Sequence, residues 1–275
     1  MMRMLCVALL LATGLACGSR TSGPPLAVQC WTFRAFTFVE ALDRIRELGV
    51  SAVQAYPGQP LAPELPGVVF DHHMREEHLV LAETALKDRG LRLVAYGVVD
   101  LGQEEASIRA VFDFARRLAI PTIVCEPEFG ALPIVEELAK EYDVRVAIHN
   151  HPLPSRYARP EVVQEQLRGR NARLGACADT GHWLRTGVRP VAALKLLHGR
   201  VLDVHLKDLN AFAAPDAYDV PCGQGQADIR GVVSELRRQA YDGYLCIEYE
   251  NENDRANPSP AVRASLHYLH RLGCR

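Results

Sequence analysis

What this sequence lacks narrows its class first. It has no C-x-x-C pair, and its cysteines give no disulfide framework. It has little surplus charge of either sign, with 31 Lys and Arg against 33 Asp and Glu. No Lys/Arg stripe stands out, which argues against nucleic acid or any other polyanionic partner. No Gly-rich phosphate fingerprint follows any apolar run, which counts against an open doubly wound nucleotide-binding sheet. No apolar stretch is long enough to span a bilayer, and no internal repeat or second domain is evident.

What is present is a chain of 275 residues, 48% hydrophobic and 23% charged, which suits one large domain with a substantial core. Arg3 precedes a short apolar stretch, Met4 to Ala12, which reads as the core of a signal peptide over 1–16. Gly14-Leu15-Ala16-Cys17 has the form of a bacterial lipoprotein signal, with lipid carried on Cys17 after cleavage. Simple secretion and a misread start codon ahead of a cytosolic enzyme are the alternatives. Residues 18–26, rich in Ser, Gly and Pro, read as a linker. The expectation is an exported protein, periplasmic or membrane-anchored, that touches a membrane only through its lipid. Nothing in the sequence specifies its oligomeric state. Cys30, Cys125, Cys177 and Cys246 each fall inside a predicted strand and read as small buried thiols.

From residue 27 to 275, strand and helix signals alternate eight times. Thr37 and Glu40 form a capping-box pattern ahead of Phe38, Ala41, Leu42 and Ile45 at helical spacing. A long Pro/Gly-rich loop follows the second strand, and Asp228 is a plausible N-cap for the seventh helix. Ser259-Pro260 has the N-cap and N1 signature of a last helix. Eight β/α units in one α/β chain of this length predict a single-domain (β/α)₈ TIM barrel.

Five of the predicted strands share one habit: their apolar runs end in polar residues that such a barrel would present at its active face. Leu174 to Ala178 ends in Asp179, with His182 three residues on, and other runs end in Glu126, His149-Asn150-His151, His205-Leu206-Lys207 and Glu248-Tyr249-Glu250. Alternation puts His149 with His151, His205 with Lys207, and Glu248 with Glu250 on common faces. Buried charges of this kind need a partner, and one divalent cation (Mn, Mg, Co or Zn) serves them all. The candidate ligands are Glu126, His149, Asp179, His205 and Glu248. Glu128 competes with Glu126, and His149 and His151 read equally as ligand or as outer donor. Lys207 either neutralises an oxyanion or pairs with Asp208. Trp31, Tyr56 and Trp183 stand at strand ends as aromatic walls for a sugar ring, with His72 and His73 at the rim.

With these residues placed, the chain resembles the xylose-isomerase-like TIM-barrel superfamily, specifically proteins labelled sugar phosphate isomerase/epimerase. The resemblance is carried by IHNHP (148–152), CADTGHW (177–183), GRVLDVHLKDL (199–209), VPCGQG (220–225) and GYLCIEYE (243–250). It implies metal ligands at Asp179, His205 and Glu248 and a substrate-contacting His182. In the resembled epimerases a Glu occupies the position held here by His149, and two Glu residues form the acid/base pair. The resemblance therefore implies a metal-dependent isomerase or epimerase of a keto sugar or polyol, with Glu248 and Glu126 moving the proton and His151 and Lys207 as further catalytic candidates. A lyase or hydratase on a 3-keto sugar or 3-keto-glycoside is the enzyme alternative. A non-catalytic sugar-binding lipoprotein is the alternative of a different class. Abasic-site endonucleases share the barrel but need more metal ligands and a basic DNA face.

Mass spectrometry of the protein from its native host is expected to show residues 1–16 removed and lipid on Cys17; an intact N-terminus would overturn both expectations.

Overall fold

The computed structural model describes residues 23–275. The expected signal peptide (1–16), the lipid-bearing Cys17 and the first part of the linker lie outside the described residues. The last linker residues are not a free tether. Gly23 N–H donates to the Gly273 carbonyl at 2.9 Å and Leu26 N–H to that of Arg275 at 2.6 Å, so the chain is already part of the fold there.

Eight parallel strands close into one barrel in sequence order. They are β1 (Leu26–Gln29), β2 (Ala52–Ala55), β3 (Arg92–Val99) and β4 (Thr122–Cys125). The second half is β5 (Arg145–Ile148), β6 (Leu174–Asp179), β7 (Val201–Leu206) and β8 (Leu245–Ile247). Closure pairs Leu26 of β1 with Leu245 of β8 on one side, and Val28 with Val53 of β2 on the other. A closed ring leaves no strand edge to protect.

Period-two alternation divides the strands between two environments. Outward residues such as Val28, Val53, Ile123, Val146 and Leu206 join the large core beneath the helices. Inward residues are small: Ala27, Ala52, Val94 and Cys246 form one cluster, and Ala95, Val124, Ala147 and Cys177 another. Farther along, the same inward rows turn polar at Gln29, Gln54, Asp179, Asp203, His205 and Glu248, all of them buried. Among the described residues the six cysteines are buried and unpaired and behave as small hydrophobes. Cys30, expected in a strand, lies instead in a 3₁₀ turn, Cys30–Phe33.

Nine helices are described: α1 (Phe38–Glu47), α2 (Glu76–Asp88), α3 (Glu105–Arg117), α4 (Leu132–Tyr142), α5 (Pro160–Leu167), α6 (Thr180–Arg185), α7 (Pro190–Leu196), α8 (Ile229–Arg238) and α9 (Ser259–Arg271). Amphipathic spacing explains most of them; in α3, Ile108, Val111, Phe112 and Ala115 are buried and the opposite face is charged. Asp228 caps α8 by accepting from Gly231 N–H at 3.0 Å. Ser259 is the first residue of α9 rather than its cap, a position taken by Pro258. None of the described helices is long and apolar enough to cross a membrane.

Besides the Cys30–Phe33 turn, three elements differ from the sequence expectation, and all lie at the C-terminal ends of strands. The loop after β2 folds into a two-stranded antiparallel ribbon, Gln59–Pro60 with Val69–Phe70. A second ribbon after β7 pairs Asp208–Leu209 with Asp219–Val220. The six-residue α6 begins directly at the end of β6, because the Asp179 carboxylate accepts from His182 N–H at 2.8 Å and caps the turn. Pro and Gly in the first loop hide the ribbon, and α6 is too short to show a helical period.

The capping box of α1 is formed in both directions: Glu40 N–H donates to Thr37 Oγ1 at 3.3 Å, and Thr37 N–H to Glu40 Oε2 at 2.9 Å. Thr37→Ala is expected to cost about 1 kcal/mol of stability, the usual loss for an N-cap hydroxyl. Chemical denaturation that shows no change would mean that packing alone fixes this helix start.

Candidate metal centre

Side chains at the last residues of the strands and at the residue just beyond them converge. β6 ends in Asp179, which is in register with His205 of β7. His149 is the residue after β5, and Glu248 the residue after β8. All four are buried, and one ligand atom from each lies within 4.8 Å of the others. His149 Nε2 is 3.6 Å from Asp179 Oδ2, and His205 Nδ1 is 3.9 Å from the same oxygen and 2.8 Å from Glu248 Oε2.

These four atoms are polar, buried and without a hydrogen bond. Only seven buried side-chain N or O atoms lack a hydrogen bond among the described residues, and four of the seven are these. Unpaired buried polar groups are costly, so their clustering at one point is the signature of a missing common partner. Two imidazoles and two carboxylates fit a divalent cation; the mixed donor set does not select one metal over another.

An imidazole ligates through one nitrogen only if its other nitrogen carries the proton, and the structure supplies an acceptor for each. His149 Nδ1 donates to Glu126 Oε1 at 3.1 Å, leaving Nε2 free. His205 Nε2 donates to Gln54 Oε1 at 2.8 Å, leaving Nδ1 free. Gln54 cannot turn over, because its Nε2 donates to the Asp203 carboxylate at 2.6 Å. Asp203 thus fixes Gln54, and Gln54 fixes the tautomer of His205. Neither residue was among the sequence candidates, although alternation along β7 places Asp203 on the face of His205 and Lys207.

Glu126, expected as a ligand and base, stands outside the four-residue group. Its Oε1 accepts from His149 Nδ1, from His151 N–H at 2.7 Å and from His151 Nδ1 at 2.8 Å. Its Oε2 accepts from Ser155 at 2.7 Å. Burial would raise this carboxyl, but the hydrogen bonds from His149 and His151 hold it well below the usual range. Glu128 points elsewhere, paired with Arg156. His149 keeps the inward alternation of β5, its N–H still bonded to the Cys125 carbonyl, and is buried, whereas two residues on the His151 side chain is 47% exposed.

Lys207 is buried beside the centre. Its Nζ lies 3.2 Å from Asp179 Oδ2, 3.1 Å from Glu248 Oε2 and 2.9 Å from Glu250 Oε2. Burial would lower its pKa, but Asp179, Glu248 and Glu250 hold it well above the usual lysine value. It makes no pair with Asp208, whose carboxylate is taken by backbone N–H groups. Lys207 Nζ also donates to His182 Nε2 at 3.2 Å. Burial, reinforced by Lys207, holds His182 well below the usual imidazole range despite the nearby Asp179. Behind it, Arg185 binds Asp219 at 3.1 Å, and burial pushes the Asp219 carboxyl up to about 7.

A cavity of about 270 Å³ opens onto the centre, lined by Trp31, Tyr56, His151, His182, Lys207 and Glu248 among others. Trp31 and Tyr56 meet edge-on at 4.9 Å on one wall. Trp183, expected beside them, is fully buried in the core, because α6 turns its indole away from the mouth. His72 and His73 do not line the cavity; His72 Nδ1 lies 3.1 Å from the Tyr96 hydroxyl.

A family model described as xylose isomerase-like TIM barrel matches residues 42–272. The chain belongs to this family. Among curated relatives of this xylose isomerase-like barrel, inosose dehydratase of Clostridium tetani is 28% identical over 44% of this chain and 46% of its own length. The rhizopine catabolism protein MocC of Rhizobium meliloti is 25% identical over 69% of this chain and 61% of its own length. This chain therefore spans about half to three-fifths of these relatives. An uncharacterized protein of Parabacteroides distasonis has a solved structure similar to this one, with TM-score 0.72 and 34% identity, over 90% of this chain and 98% of that one.

If Glu126 orients His149, Glu126→Gln is expected to weaken binding of Mn²⁺ or Zn²⁺ by about 10–100-fold, the usual cost of losing an outer partner of a ligating histidine. Isothermal titration measures this directly, with Glu128→Gln as the control. Equal affinity in wild type and Glu126→Gln would leave the carboxylate without that role.

Proposed function

We propose that this protein is a lyase that removes water from a keto sugar or keto-cyclitol. The observation that carries this reading is the position of Glu126. A symmetrical epimerisation needs two bases facing the substrate carbon, and Glu126 is instead bound to His149, His151 and Ser155. One free base remains on the cavity wall besides the ligand group: His151, whose Nδ1 is held by Glu126 and whose Nε2 makes no hydrogen bond among the described residues. One good base beside a polarised carbonyl is what elimination requires.

A divalent ion held by His149, Asp179, His205 and Glu248 would supply Lewis-acid polarisation of the substrate carbonyl. The chain's own groups do the rest. The Trp31–Tyr56 wall offers an apolar face to one sugar or cyclitol ring, and the cavity lies just under the range of drug-sized sites, which suits a ligand of that size. Lys207, held protonated by three carboxylates, presents a fixed positive charge to a substrate oxygen. His151 Nε2 takes the proton from the carbon beside the carbonyl, and that electron pair becomes the new C=C bond as the C–O bond of the next carbon breaks. The protonated imidazole returns the proton to the departing hydroxyl on the same face, which leaves as water.

The name inosose dehydratase among the relatives supports this reading. The isomerase reading keeps one supporting observation, since Glu248 lines the same cavity and would serve as the second base opposite His151. The two are separated by their products: elimination yields the ultraviolet absorbance of a conjugated enone, whereas epimerisation yields solvent deuterium in an unchanged mass class.

His151→Asn is expected to lower kcat by about 10²–10⁴-fold, the usual cost of losing a general base, with metal content unchanged. Deuterium incorporation without enone in the wild-type enzyme would reject the lyase assignment, and full activity in His151→Asn would reject the base.

A further inference from the structure

We propose that the substrate of this site carries no phosphate or carboxylate group; the inference rests on the reading above that a sugar or cyclitol ring binds here. Recognition of such an anion needs an unpaired cation or a cradle of backbone N–H groups. Among the described residues, Lys207 is the one lysine or arginine on the cavity wall, and three carboxylates already share its ammonium. The next cation outward, Arg185, is bound to Asp219 and to the Ala217 carbonyl, at 3.1 and 3.2 Å. Arg34, beside Trp31, is bound to Glu252 at 2.6 Å and to the carbonyls of Trp31 and Glu250.

The charges around the centre leave no room for another anion. Asp179, Glu248, Glu250 and Asp219 carry four negative charges, and Lys207 and Arg185 carry two positive ones. A divalent cation in the four-residue group would offset the excess of these four, but Glu126, against His149, and Asp203, against Gln54, are further carboxylates beside the same centre. A phosphate dianion would then add two negative charges to a pocket whose wall already holds Glu248 and Glu250. Like-charge placement of this kind costs several kcal/mol.

Barrels of this class often bind phosphate in the loops after the seventh and eighth strands. The loop after β7 does build a cradle: the N–H groups of Gly223, Gly225 and Ala227 converge at 2.8, 2.9 and 2.9 Å. Its occupant is the chain's own Asp208 carboxylate. The fit is close, since a side chain at Gly225 would collide with Asp208 and with the Leu209 carbonyl. The N–H cradle of this loop is thus filled from within and offers nothing to a ligand anion.

The test is equilibrium binding to the metal-loaded protein, above neutral pH where Asp219 is ionised, across a panel of uncharged keto sugars and keto-cyclitols and their monophosphates. The tightest member is expected to be uncharged, with its own monophosphate weaker by roughly 100-fold or more. A monophosphate that binds as tightly as its parent, or tighter, overturns the inference. Glu250→Gln releases one carboxylate from Lys207 and is expected to narrow the gap by about tenfold; an unchanged gap would show that the paired cation is not its cause. Binding does not depend on the reaction, so uncharged rings that bind but lose no water would reject the lyase reading and leave this one standing.

Discussion

The barrel's active end depends on one electrostatic constraint: carboxylates buried in numbers that their cationic neighbours do not match. Removing one ionised group from water costs several kcal/mol unless it is paired, and here Asp179 and Glu248 are buried within contact of a single lysine. Lys207 alone does not satisfy them, because it also serves Glu250, and the ligand-facing oxygens of both remain without a hydrogen bond. A divalent cation resolves the imbalance. A cation bound there would link folding to metal binding, since the buried ligand group is costly without one.

Two imidazoles in that group carry a further demand. Each must turn a bare nitrogen inward, so each needs an acceptor behind it. The acceptors come from different layers: Glu126 from the end of β4, and Gln54 from inside β2, itself held by Asp203. The small inward residues of the barrel, alanines and cysteines, leave space for the polar layer directly above them. A bulky residue in place of Ala147 or Cys177 would press on the groups that set the ligand geometry, so the packing of the barrel interior and the chemistry of its mouth are one problem.

How much of this was legible in the sequence depends on what encodes each part. The barrel was legible because strand and helix signals alternate eight times, and five of the apolar runs end in polar residues, an arrangement that few folds admit. Asp179, His205 and Glu248 were legible as one group for the same reason. The order among His149, Glu126 and His151 was not, because it turns on where β5 stops; alternation still carries His149 inward after Ala147 but no longer decides the direction of His151. Gln54 was hidden by being a neutral residue in a strand, although Asp203 opposite it sits in a plain alternating run. The expected role for Trp183 failed because α6 has no period long enough to read, and a single turn there reverses the indole.

The histidine at position 149 also bears on the choice of reaction. Where the resembled epimerases carry a glutamate, a neutral imidazole removes one negative charge from the ligand set and one proton acceptor from the substrate. The carboxylate is not lost from the fold; Glu126 holds it one layer out, in contact with both His149 and His151. From there it acts on the substrate only through an imidazole. His149 is oriented toward the ligand group, and His151 is left with one bare nitrogen at the cavity. A metal-bound carboxylate base is thereby exchanged for a free imidazole on the same side. One of the two carboxylates of such an epimerase is thereby drawn back from the substrate, and under the proposed lyase reading the imidazole would take a proton and return it on one face as a neighbouring hydroxyl leaves as water.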